Sequence, residues 1–337
     1  MHILGLCNGS VGGNSEVLLK NALVSAQTAD PSITTSWIHI PSVSYPANPQ
    51  PFDAAPDISL GTNASNNKRG GVQESTTTTR DDRKKVFNAI LDADALIFST
   101  AIYSHQPGGA LKALLDTLLG PYTDAAFARR VLAGKQAGDA RFASMSVDER
   151  VLRPRVAGFL AVGGSTTPDQ FTMALPTLHI LITSLQAKVV DQVVFAGHAN
   201  PGAVLRSAEA VERAQRLGRN VAREIGKTYD EAVFLGEEPE GACPECHLAK
   251  LDFFGGPENA VGCVVCGNTG RLVGGAKVSV QWDEASDYCC LTMKGKEKHI
   301  DDIFKNGTNE WKGLDADEAF TKKLQDWRGR DCGKIEF

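Results

Sequence analysis

Four cysteines in the last third of the chain have the spacing of a metal centre. Cys243 and Cys246 form one C-x-x-C pair, and Cys263 and Cys266 form a second after sixteen intervening residues. Each pair can offer two thiolates from one tight turn, and the connecting loop can fold the pairs onto a single tetrahedral ion. Pro244 and Gly267 suit such turns. A closed four-thiolate centre points to structural zinc, which holds a small β module together without an open position for chemistry. Iron competes for the same ligand set. Cys7, at the end of an apolar run, reads as a buried small hydrophobe. Cys289, Cys290 and Cys332 lack the spacing of a second centre.

A second chemical signal lies at the other end, in the stretch NGSVGGNSE, residues 8 to 16. It separates an apolar run, Ile3 to Cys7, from a helical pattern that begins near Ser15. A turn between a strand and a helix N-terminus can hold an anion on its free N–H groups, aided by the helix dipole. Ser10, Asn14 and Ser15 add short donors, while Gly9, Gly12 and Gly13 allow close approach. The turn has no Lys-Ser or Lys-Thr ending and does not fit G-x-G-x-x-G. On these residues alone, Asn14 or Ser15 capping a helix is an equal alternative.

Elements able to position this turn are visible in the pattern. Short apolar runs at His2 to Cys7, Thr34 to Ile40, Asp94 to Ser99, Val156 to Val162 and Lys188 to Phe195 read as strands. Helical patterns follow each one, at Ser15 to Gln27, Asp81 to Asp92, Gly108 to Leu119, Asp169 to Leu185 and Pro201 to Ile225. Strict alternation predicts an α/β fold, a doubly wound five-stranded parallel sheet of flavodoxin-like type, with ligands outside the carboxyl ends of the strands. Residues 1–230 form this domain, with insertions at about 41–80 and 120–153. The first insertion, polar and carrying a TTTT run, reads as partly disordered or as a lid. The second is helical and rich in Arg. Residues 237–293 read as a zinc ribbon with a β extension, and 294–337 as a polar helical tail.

The 337 residues carry a net charge of −5, which favours neither nucleic acid nor an anionic membrane. No apolar run is long enough to span a bilayer, and the N-terminus shows no leader, so a cytoplasmic protein is expected.

Three stretches, GSVGGNSEVLLKNAL, ADALIFSTAIYSHQPGGALKALLD and PRVAGFLAVGG, together resemble the NADPH-dependent FMN reductase and WrbA-like branch of the flavodoxin-like superfamily over about residues 1–225. The resemblance implies FMN, with its phosphate on Ser10, Val11, Gly12, Gly13, Asn14 and Ser15. It places Ala101, Ile102, Tyr103 and Ser104 beside the isoalloxazine ring, bordered by Gly163, Gly164 and Ser165. This sequence has TAIY where many members have SPVY, and its phosphate loop lacks their frequent Arg. His105 is the best candidate for a proton donor, because imidazole can change charge near neutral pH, with Tyr103 beside it; a solvated loop histidine is the plainer reading. His179, in an apolar helical pattern, reads as a core or interface histidine. Arg129, Arg130, Arg153 and Arg155 could meet the phosphates of NADPH or form a solvated face. The cysteine pairs also resemble rubredoxin, although their loop is shorter and lacks aromatic packing.

The implied function is an FMN-dependent NAD(P)H oxidoreductase that passes electrons to a quinone-like or other electron-poor aromatic molecule, as a homodimer or tetramer. The alternative is a flavin-based electron carrier, or a redox-responsive interaction protein with the ribbon as docking surface.

Overall fold

The computed structural model describes residues 1–46, 80–120, 123–275, 277–284, 286–311, 317–330 and 333. Nearly all of the insertion expected at 41–80, and Cys332, lie outside these residues. The first domain runs β1 (His2–Asn8), α1 (Asn14–Ala29), β2 (Thr34–His39), α2 (Arg83–Asp92), β3 (Ala95–Tyr103), β4 (Gln106–Pro107) and α3 (Gly109–Leu118). It continues with α4 (Ala125–Gln136), β5 (Arg155–Val162), α5 (Ala174–Leu181), β6 (Ala187–Phe195) and α6 (Ala208–Glu224). The parallel strands stand in the order β2-β1-β3-β5-β6, the flavodoxin-like order, which reverses between β1 and β3. The short β4 pairs antiparallel with the end of β3 and adds a sixth strand to the expected five.

β5 is buried along its whole length, as a strand covered on both faces must be. On one face, Leu18, Leu19 and Ala22 of α1 meet Ala214, Leu217 and Val221 of α6 over Ile3, Ile97 and Leu160. The two helices cross closely at Gly218, where an added Cβ would stand 2.0 Å from the Ala22 carbonyl oxygen. On the other face, α2, α3 and α5 cover Leu4, Leu96, Phe98 and Phe159. The single helix expected over Asp169 to Leu185 is instead broken, with short 3-10 turns at Pro168–Phe171 and Thr183–Leu185 flanking α5.

The cysteine module is an antiparallel sheet of β7 (Leu251–Gly255), β8 (Ala260–Cys263), β9 (Thr269–Val273) and β10 (Ser279–Trp282), in the order β10-β9-β8-β7. Its core packs against Leu175 of α5. Helix α7 (Met293–Trp311) follows, then α8 (Glu318–Arg328). The two helices of the segment expected as a polar tail differ in their packing. Ile300 of α7 is buried with Phe127, Val131 and Phe142 of the second insertion, and Phe304 stacks on Phe127, so α7 docks; α8 buries nothing.

The arginines expected to meet NADPH phosphates are engaged within the protein. Arg155 is buried and donates to the carbonyls of Leu91 (2.6 Å) and Arg150 (2.6 Å), and Arg153 pairs with Asp94. Both lie at the amino edge of the sheet. Arg129 and Arg130 pair with Glu297 and Asp301 of α7. Among the described residues, no helix is long and apolar enough to cross a membrane.

Candidate functional site

At the carboxyl edge, the loop after β1 runs into α1. The first intrahelical bond is donated by Val17 to the Gly13 carbonyl (3.1 Å), so the N–H groups of Asn14, Ser15 and Glu16 stand ahead of the helical ladder. Gly12 has φ +67°, and a Cβ there would meet nothing within 4 Å, so the outer face of the loop is open backbone. Ser10, Val11 and Gly12 are exposed, while Gly13, Asn14 and Ser15 are buried beneath them. This surface suits an anion of phosphate size.

The side chains here have divided roles. Asn14 donates to the carbonyls of His198 and Asn200 (2.9 Å each) and accepts from the N–H of Val204 (3.0 Å). Its amide therefore ties α1 to the loop after β6, leaving the backbone N–H for a ligand. Three further residues shape the loop and were not singled out from the sequence. Asn8 donates to Thr100 Oγ1 (3.0 Å) and the Gly108 carbonyl (2.9 Å), joining β1 to the β3–α3 turn. The His39 ring lies 2.7 Å from the Gly9 carbonyl through Nε2. Glu16 accepts from the Gly12 N–H (3.0 Å), and its ion pair with Lys20 holds its carboxyl below the usual range. A Glu three residues after the cap position was the one available signal, since that is capping-box spacing.

The end of β3 folds back as a two-residue hairpin. Tyr103 pairs with Gln106, and the residues between them, Ser104 (φ +46°) and His105 (φ +73°), carry the two positive φ values of a type I′ turn. Such turns favour Asn-Gly, so non-glycine residues here hold strain of the kind found at functional sites. The turn is braced: His105 Nδ1 lies 2.7 Å from the Asp169 carbonyl, and the His105 carbonyl accepts from the Met173 N–H (3.1 Å). A carbonyl only accepts, so Nδ1 carries the proton and Nε2 is left for a partner. Tyr103 projects into solvent at 65% exposure.

The third loop, after β5, meets the other two. Gly163 lacks a Cβ because Phe171 would lie 2.5 Å from it, and Ile102 borders the same spot at 3.5 Å. Gly197 donates to the Ser165 carbonyl (2.7 Å), and His198 to the Gly163 carbonyl (3.0 Å). The structure thus brings Ser10 to Ser15, Ala101 to His105 and Gly163 to Ser165 to one edge, on three separate strands.

The four cysteines converge elsewhere, beside α5. Their sulfurs all lie within 4.8 Å of one another and are buried, with Cys243–Cys266 and Cys246–Cys263 at 3.5 Å. A zinc tetrahedron with bonds of about 2.3 Å has edges of about 3.8 Å, so the set fits that ion. The two knuckles repeat one geometry. The His247 N–H reaches the Cys243 carbonyl (2.8 Å) and the Gly267 N–H reaches that of Cys263 (2.9 Å), both residues being left-handed. His247 tolerates this because its ring stacks on Phe234, 3.9 Å between centroids, and bonds Glu238. His179, expected in a core or interface, is buried, and Gln192 links it to the Cys246 carbonyl.

Residues 1–201 match the family described as NADPH-dependent FMN reductase. The chain is 32% identical over 334 residues to the flavone synthase cfoJ of Aspergillus candidus, covering 96% of this chain and 93% of that protein. Its fold is similar to that of a solved flavone reductase, with a TM-score of 0.71 at 23% identity and both chains covered in full. The phosphate-sized cradle at α1, the hairpin after β3 and these matches agree: the chain belongs to the NADPH-dependent FMN reductase family and is an FMN-dependent oxidoreductase.

Proposed function

We propose that the protein passes electrons from NAD(P)H through FMN to an electron-poor, multi-ring aromatic acceptor of flavonoid or quinone type. The observation that carries this reading is the meeting of three loops at one sheet edge: one offers N–H groups that stand ahead of a helical ladder, and the hairpin after β3 and the Gly163–Ser165 turn lie beside it. The names of the two relatives, a flavone synthase and a flavone reductase, support an aromatic reactant.

When bound, FMN supplies the two-electron chemistry that joins a nicotinamide donor to an organic acceptor. The chain's own residues do the rest. Ser10 and the N–H groups of Asn14 and Ser15 hold the phosphate, with Val11 to Gly13 as the open cradle. Ala101 to Ser104 lie along the ring, and Gly163 to Ser165 border it. His105, its Nδ1 proton fixed by Asp169, presents Nε2 to the acceptor and delivers a proton when charged. Tyr103 covers the ring from solvent. Cys243, Cys246, Cys263 and Cys266 hold a structural zinc, and a homodimer closes the flavin site.

The test is an absorbance spectrum of the purified protein before and after anaerobic NADPH, with metal analysis of the same sample. Flavin bands bleached by NADPH and one zinc per chain are expected. Flavin that stays oxidised with NADPH and NADH overturns the reductase reading, and iron in place of zinc overturns the metal assignment.

A further inference from the structure

Beside the hairpin, a cleft of about 380 Å³ runs between α3, α5 and the second cysteine knuckle. We infer that it is the subsite for the distal rings of the aromatic acceptor, with Val264 of the ribbon as one wall. This rests on the proposed function and adds the ribbon to substrate recognition.

Continuity with the candidate flavin site comes first. Gln106 and Met173 line the inner end; one directly follows His105, and the other donates its N–H to the His105 carbonyl (3.1 Å). A ligand whose reacting ring lies against the hairpin therefore extends into this cleft. The lining comes second. Met173 is 44% exposed, Ile180 50% and Val264 57%, three large apolar side chains, two from α5 and its N-cap and one from the ribbon, that line one space. Exposed apolar groups gathered this way mark a ligand surface, and the volume is that of a small-molecule site. Charge decides the class of ligand. The one cation in the lining, Lys112, is neutralised by Asp116 at 2.6 Å, so the cleft offers no net positive charge to the phosphates of NADPH. A planar, uncharged, multi-ring molecule with a hydroxyl or carbonyl at its edge matches it.

The zinc knuckle thereby gains a purpose beyond stability. Val264 occupies an x position of Cys263-Val264-Val265-Cys266, so the metal that fixes the knuckle also fixes the wall.

The experiment is equilibrium binding of flavone to the oxidised, FMN-loaded protein, read by fluorescence, for the wild type, Ile180→Asp, Val264→Asp and, as a control at an exposed apolar ribbon residue outside the cleft lining, Val278→Asp. Ile180→Asp and Val264→Asp are each expected to weaken flavone binding by about tenfold or more, as loss of a buried aliphatic contact would. Flavin absorbance should show FMN retained, and Val278→Asp should bind flavone like the wild type. Absence of flavone binding in the wild type, or equal affinity in all four proteins, overturns the subsite. Because the readout is binding, it is independent of turnover: failure of NADPH to reduce the flavin would remove the proposed function while leaving this result to stand or fall alone.

Discussion

His179 Nε2 and Gln192 Oε1 stand 2.8 Å apart in the core, and the same Gln192 donates from Nε2 to the carbonyl of Cys246 at 2.9 Å. One side chain on β6 thus joins a helix of the flavodoxin-like domain to a turn of the four-cysteine cluster. All three residues are buried, so neither bond can be exchanged for one to water.

Replacing Gln192 by Leu should leave the Cys246 carbonyl and the His179 N–H without partners, at a cost of about 1–3 kcal/mol each before relaxation. We expect a lower melting temperature and faster loss of the proposed zinc to a chelator. A variant with unchanged melting and zinc release would show that the ribbon is held without this bond.

The proposed phosphate cradle already contains a carboxylate. Glu16 bonds the Gly12 N–H, and its pairing with Lys20 keeps it ionised. Glu16→Gln keeps an acceptor for Gly12 while removing a negative charge next to the proposed phosphate position. FMN should bind about threefold to tenfold more tightly, the scale of one partly screened charge. Titration of apoprotein by flavin fluorescence tests this; equal or weaker affinity would mean that Glu16 serves the loop only as a cap.

What could be read beforehand follows from how local each cause is. The parallel strands announce themselves because burial on both faces demands continuous apolar runs, and Val156 to Val162 needs only one residue added to match β5. β3 runs on to Tyr103, beyond the Ser99 expected, because its last residues are held by Pro107 and Gln106 in a hairpin. Nothing in Ser104-His105 signals such a turn, since the residues that usually do are Asn and Gly. The cradle at residues 10 to 15 was visible as a type of turn, yet the use of Asn14 depends on residues 198 to 204, far away in the chain. The same distance hid Gln192. The cysteines, by contrast, carry their geometry in their spacing, and the structure brings all four together.

Gly267 offers a sharper test of the cysteine module. Its φ is +76°, and a Cβ would lie 2.7 Å from the Tyr288 carbonyl oxygen. Gly267→Ala meets both backbone strain and a clash with main chain, and should cost about 2 kcal/mol or more. Zinc content after dialysis and thermal melting would both fall. An unperturbed protein would imply that residues 288 to 290 can retreat from the knuckle without consequence.

Lys296 gives the fold a pH dependence of definite sign. It is 4% exposed, donates to Gln186 Oε1 at 2.7 Å, and burial pushes its ammonium down to about 8, the charge of Asp124 opposing the shift only in part. In the unfolded chain the same group keeps its proton to about 10.4. Between pH 8 and 10 the unfolded state therefore holds a proton that the native state has released, and stability rises with pH across that window. Below pH 8 both states are protonated, the native state carries the full cost of the buried charge, and this group contributes no slope. Urea unfolding of the wild type and Lys296→Met at several pH values separates this from other titrations. Relative to the variant, the wild type should gain roughly 2–3 kcal/mol from pH 8 to 10. Parallel curves would mean that water or Asp124 already compensates the ammonium in the folded state.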